Sequence, residues 1–163
     1  MIDLFDLDDL IPSLGIDPSE EHLEALYQAF EEDFINNSFF IDGIEVRIDM
    51  RNSKEDGFED YPHTFVKMLT RGKKNNRVFD RKRANKIHWI KPILEQRDSD
   101  DIIVFKFKEG NGNIRDYFWF KEGDFLVIME LITPNYMMIS CFHIDDDRNR
   151  NYYEKKYESR VKK

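Results

Sequence analysis

The sequence predicts an α+β fold: an N-terminal helix and β-hairpin, then helices packed on a four-stranded antiparallel meander, with a C-terminal helix. Three observations carry that expectation. Apolar residues recur at helical spacing in the first third of the chain, an Asp-Gly pair separates two short β-prone runs, and four strand-like runs joined by brief turns fill residues 102–144.

The elements follow in order. Asp17-Pro18-Ser19-Glu20 is a helix-start pattern, with Asp17 as N-cap and Pro18 in the first helical position. Leu23, Leu26, Tyr27, Phe30 and Phe34 then repeat at helical spacing, which predicts a helix over residues 18–36 with an acidic outer face. Phe39-Phe40-Ile41 and Ile44-Glu45-Val46-Arg47-Ile48 flank Asp42-Gly43, a pair suited to the positive φ angles of a tight hairpin. Residues 49–61 are polar and read as a linker. A short helix is expected over 62–71, then a basic loop over 72–77. Asp80 can cap a second helix whose buried stripe is Ala84, Ile87, Ile90 and Leu94, and Pro92 is expected to kink or end it. Strands are expected over 102–108, 114–120, 124–131 and 136–144, then a basic helix over 148–161 carrying Tyr153 and Tyr157.

Charge divides the chain. The formal net charge is −8, yet no Lys or Arg precedes Arg47, while 13 Asp and Glu do, leaving 25 basic against 20 acidic residues from 47 onward. This predicts an acidic helix–hairpin lobe over 1–50 and a basic domain over 58–163. Residues 71–97 alone hold ten Lys or Arg against Asp80 and Glu95, the kind of patch that binds a polyanion and loses affinity with salt.

Several classes drop out. The longest apolar stretch, Phe125 to Ile132, is interrupted by Glu130 and falls far short of the roughly 18 residues that span a bilayer. Acidic residues follow Met1 where a secretory signal would be positive, so export and a membrane partner are not expected. A single cysteine, Cys141, makes no internal disulfide and fits a reducing cytoplasm. There is no His-x-x-x-His pair and no Gly-rich phosphate loop, so neither a metal nor another cofactor is expected.

Alternation along the strands assigns side chains to faces. Ile103, Phe105, Phe107, Phe118, Phe120, Phe125, Val127, Met129, Met137, Ile139 and Cys141 are expected on the core face. The opposite face then combines Lys106, Lys108, Arg115, Tyr117, Trp119, Glu130, Tyr136 and Ser140, an arrangement in which aromatics stack bases while cations hold phosphates. Cleaving RNA without a metal needs a proton carrier and cations around the phosphate. His63, at a loop–helix junction beside the basic segment, is the candidate imidazole.

The order of these elements, with Val78-Phe79-Asp80-Arg81-Lys82-Arg83-Ala84-Asn85-Lys86-Ile87-His88-Trp89-Ile90 before the meander and Met138-Ile139-Ser140-Cys141-Phe142 before a Tyr-rich basic helix, resembles the phage-associated branch of the barnase/EndoU/colicin/RelE-like (BECR) nucleases over roughly residues 58–160. That resemblance implies metal-independent cleavage of RNA, often by a toxin or mobile-element effector. It also implies His63 as acid/base residue, Arg81 and Arg83 as phosphate holders, and Ser140 in the place of the family's usual threonine.

The resulting expectation is an endoribonuclease that cleaves by 2′-hydroxyl attack. His63, Arg81, Arg83 and Ser140 would be catalytic, and Lys106, Arg115, Tyr117 and Trp119 would bind RNA. An inhibitory or host protein partner is a further expectation. Two alternatives remain open on the sequence: a non-catalytic RNA- or protein-binding module, and an acidic decoy whose N-terminal lobe imitates nucleic acid. The acidic lobe is also expected to fold over the basic patch and restrain it.

Overall fold

The computed structural model of the chain describes residues 2–162. It is a mixed α+β fold in which a six-stranded mixed sheet is flanked by helices on both faces. Helix α1 (Glu20–Phe34) starts two residues later than expected, because the Ser19 hydroxyl, and not Asp17, accepts the His22 N–H at 3.1 Å. Strands β1 (Phe40–Ile41) and β2 (Ile44–Arg47) form the hairpin around Asp42 and Gly43, whose φ angles of 51° and 81° are those the Asp-Gly turn demands.

Helix α2 (His63–Leu69) runs into β3 (Thr70–Arg71), which pairs with β4 (Val78–Phe79) in a second, two-stranded sheet. Asp80 caps α3 (Arg81–Ala84), as its side chain accepts the Arg83 N–H. The expected second helix breaks at the buried Asn85, not at Pro92. Asn85 hydrogen-bonds Ile11 through both its side-chain oxygen and its amide, whereas Pro92 sits in the first turn of α4 (Ile90–Glu95), where its missing N–H costs nothing. Strands β5 (Ile102–Lys108), β6 (Ile114–Phe120), β7 (Phe125–Ile132) and β8 (Asn135–His143) precede α5 (Asp147–Glu158).

Strands β5 to β8 are antiparallel neighbours, but they do not make a closed four-stranded unit. The order is β1-β2-β8-β7-β6-β5, with β2 parallel to β8 through Val46 opposite Tyr136 and Arg47 opposite Met137. The N-terminal hairpin therefore extends the sheet. Leu4, Leu14, Leu26, Phe30, Ile41 and Val46 share one apolar cluster with Phe118, Phe125 and Met138, so residues 1–50 and 58–163 are not separate cores.

Register also redraws the two sheet faces. Lys108 pairs with Ile114 across five intervening residues, so Phe105 lies opposite Tyr117 and Ile103 opposite Trp119. Those side chains share a face with Leu126 and Ile128, and Tyr153 of α5 seals it. The other face carries Ile102, Phe118, Phe120, Phe125, Val127, Met129 and Cys141. A bulge between Ile128 and Met129 shifts the far end of β8, so Met138 and not Met137 is fully buried. Both faces are cores. Tyr117 and Trp119, each 1% exposed, are thus buried beneath α5 and do not form an open stacking platform.

Phe65 of α2 ties the parts together. Its ring is completely buried 5.0 Å from Tyr27, 5.5 Å from Phe30 and 5.4 Å from Tyr61, centroid to centroid. Phe65→Ala should cost about 3–5 kcal/mol and lower the melting temperature by about 10 °C. A thermal melt shifted by under about 2 °C would show that α1 and α2 are not locked through this ring.

Candidate anion-binding site

Where the C-terminal end of α2 meets the β3–β4 hairpin, the sheet and α5, the chain encloses a pocket of about 240 Å³. Five cationic side chains line it: Lys67 from α2, Arg77 from the hairpin, Arg83 from α3, Arg115 from β6 and Lys156 from α5. They come from five elements, and each is placed by a local device.

Arg77 is held against backbone. Its guanidinium donates to the Thr70 hydroxyl at 2.8 Å, to Gly72 O at 2.7 Å and to Thr70 O at 2.5 Å. Gly72 is required here: its φ of 111° is left-handed, and a Cβ would lie 3.1 Å from Asn76 O. Arg83 is 4% exposed, lies over the Phe142 ring with its Cζ 4.5 Å from the centroid, and also donates to Thr70 O. Its Nε has no hydrogen-bond partner and stands 3.7 Å from the nearest Asp80 oxygen.

These guanidiniums spend their donors on carbonyls, which position a charge without cancelling it. Lys67 is more exposed to the consequence. Burial first, then Arg77, Arg115 and Arg83, hold its ammonium pKa below the ordinary value, and the charges acting on it are all positive. Burial and Arg83 also lower Arg77, against the opposing pull of the Glu55 carboxylate. Two of the five cations are better compensated: Arg115 donates to Glu130 at 2.9 Å, and Lys156 reaches both Glu109 oxygens at 3.2 and 3.3 Å.

Hydroxyls complete the lining. The Tyr117 hydroxyl donates to Glu109 and accepts from Lys156 at 2.9 Å, so a half-buried Glu109–Tyr117–Lys156 network forms one wall. Burial, then the bond to Glu109, raises the Tyr117 pKa, keeping the phenol protonated as a neutral donor. Ser140 is 5% exposed, and its hydroxyl is 3.5 Å from Cys141 O, too far for a satisfied bond, which leaves it available to a ligand. Tyr152, 54% exposed, stands at the mouth.

Several concentrated, partly desolvated like charges are destabilising alone and become favourable when an anion enters. A phosphate or phosphodiester accepts several charge-assisted hydrogen bonds at once and suits guanidinium forks. Among the described residues no group of three or more His, Cys, Asp or Glu side chains is placed to hold a metal ion.

The structure gathers Arg83, Arg115, Tyr117 and Ser140 into this pocket, although Tyr117 contributes only its hydroxyl edge. His63 lies next door, in a pocket of about 360 Å³ that shares Lys67 and Arg77 as walls. Partial burial, opposed by Asp49 and aided by Lys67, Arg51 and Arg77, keeps its imidazole pKa below 6.5. The others go elsewhere. Arg81 donates to Leu14 O and to Pro12 O at 3.3 Å, tying down the N-terminal arm. Lys106 points to the opposite sheet face, paired with Asp116 at 2.6 Å. Trp119 is in the core.

Sequence reasoning passed over Lys67, Arg77, Glu109 and Lys156 as site residues. Lys67 had a signal: a lone cation inside Phe65-Val66-Lys67-Met68-Leu69, where an apolar residue would otherwise be expected. The remaining three lie in ordinary polar contexts. No family model matches the chain, and no curated protein or solved structure matches it either.

Proposed function

We propose that the protein is an endoribonuclease that needs no metal, with the scissile phosphate seated among Lys67, Arg77, Arg83 and Arg115. The single observation behind this reading is the convergence of five cations, among them Lys67 whose charged neighbours are all positive, on a pocket that also contains a carboxylate, a phenol and a free hydroxyl. In this reading the side-chain cations carry the charge of the crowded phosphate.

The chemistry divides over the pocket walls. The RNA 2′-oxygen attacks the adjacent phosphorus and the bond to the 5′-oxygen breaks, leaving a cyclic phosphate. The 2′-hydroxyl proton passes to the Glu109 carboxylate, and the departing 5′-oxygen takes a proton from the Lys156 ammonium. Ser140 donates to a phosphate oxygen, while Tyr117, whose one O–H goes to Glu109, holds that carboxylate in place. Glu109, half-buried with Lys156 at 3.2 and 3.3 Å from its oxygens, supplies a proton acceptor and a proton donor in one wall.

The test is incubation of the protein with total RNA in EDTA, followed by mapping of fragment ends. Discrete fragments with cyclic-phosphate ends are expected, and Glu109→Gln should slow their formation by about 10²–10⁴-fold. Equal rates for wild type and Glu109→Gln would remove Glu109 from the chemistry.

A second reading has its own observation. Glu109 is already engaged by both Tyr117 and Lys156, an arrangement that also suits a fixed binding wall in a non-catalytic RNA-binding module. Intact RNA together with salt-sensitive binding would select it.

A further inference from the structure

The pocket containing His63 adjoins the main one through a shared wall. Lys67 and Arg77 line both, and beyond them the second pocket is lined by Arg51, His63 and Lys74, with Ser53, Glu55 and Val66. Its carboxylates are already used. Glu55 accepts the backbone N–H groups of Asn75 at 2.9 Å and Arg77 at 3.2 Å, which fixes the Lys74-bearing turn. Asp49 holds Arg51, with 2.6 Å between Oδ2 and Nη2. Lys74 makes no ion pair among the described residues, and the Arg51 side chain is 85% exposed despite its partner.

A single phosphate in the main pocket leaves this second set of cations unused. A polynucleotide carries a phosphate at every residue, and its backbone would cross the Lys67–Arg77 wall from one basin into the next. Resting on the reading above, we infer that the two pockets hold consecutive phosphates of one RNA strand, the reacting phosphate beside Ser140 and its neighbour beside His63. His63 then has a definite place: its ring gains a proton as the neighbouring phosphate binds, adding a positive charge where the strand continues. It is a binding residue for the flanking phosphate, one pocket away from the bond that breaks.

The experiment is calorimetric titration of the full chain with inorganic phosphate, adenosine 5′-monophosphate and adenosine 3′,5′-bisphosphate, which carries two consecutive phosphates on one nucleoside. The bisphosphate should bind about tenfold or more tightly than the monophosphate, the scale of one added charge-assisted contact. In the double variant His63→Ala, Lys74→Ala that ratio should fall to about one. Nuclear magnetic resonance of the His63 ring should show its pKa raised by the bisphosphate and not by the monophosphate.

Equal affinities in the wild type, or a ratio unaffected by the double variant, would overturn the second subsite. A His63 shift with the monophosphate alone would also overturn it by placing the first phosphate in the wrong basin. Failure of all three phosphates to bind would instead overturn the anion-pocket reading on which this inference rests, so the two failures are distinguishable.

Discussion

Lys67→Met should give a protein that is more stable than the wild type and no longer binds phosphate. The methionine keeps most of the aliphatic stem and removes a charge whose named neighbours are Arg77, Arg115 and Arg83. Relief of that repulsion should raise the melting temperature by about 2–4 °C, corresponding to ~1 kcal/mol. The stabilisation that inorganic phosphate gives the wild type should disappear at the same time.

The pH dependence follows from the direction of the Lys67 shift. Its folded pKa lies below the 10.5 of an ordinary lysine, so between those two values the unfolded chain binds more protons than the folded one. Wild-type stability therefore gains a rising component with pH across that window, because the folded state is relieved of the charge first. Below the folded value both states are protonated and the full penalty remains. Lys67→Met should lack this rise, and bound phosphate should suppress it in the wild type by restoring the ammonium pKa. Parallel pH–stability curves for the two proteins would show that Lys67 is not strained by its neighbours.

Removal of residues 2–50 should unfold the protein instead of releasing an active domain. Leu4, Leu14, Leu26, Phe30, Ile41 and Val46 are all buried in the cluster that contains Phe65, Phe125 and Met138. At about 1.5–3 kcal/mol for each fully buried large apolar side chain, their loss rivals the ~5–15 kcal/mol net stability typical of a domain. The shortened chain should lack a cooperative thermal transition. A folded, soluble product, judged by circular dichroism and a sharp melt, would reinstate an independent C-terminal domain.

That expectation also bears on self-restraint by the acidic segment. Its N-terminal arm does meet part of the basic stretch: Asp9 lies 3.7 Å from Lys86, Trp89 donates to Asp8 O, and Arg81 bonds two arm carbonyls. None of the described residues up to 50 lines the main pocket. The arm therefore acts as covering for α3 and α4, and the anion pocket stays open to its ligand.

Much of the secondary structure was legible because its causes are local. Helical spacing from Leu23 to Phe34 places α1, Asp42-Gly43 can close only a tight turn, Asp80 caps α3 directly, and β5 and β6 lie over the residues expected of them. The site was only half legible. Arg83, Arg115 and Ser140 fell within recognisable basic or strand segments, yet Arg81, two residues from Arg83, leaves the pocket entirely because two helical positions turn side chains about 200° apart.

The sequence by itself determined the α+β class, the local helices and turns, the concentration of positive charge after residue 47, and the presence of aromatic strands. Tertiary structure decided which strand face met which. In β6, Tyr117 and Trp119 alternate with Phe118 and Phe120, so no solvent-facing set marks the outside of that strand. A five-residue connection and one β-bulge then set the register, and a shift of a single residue exchanges the faces. The same long-range pairing brought five cations from five elements around one pocket, a convergence that depends on the packing of segments up to 89 residues apart, from Lys67 to Lys156, and leaves no periodic trace along the chain.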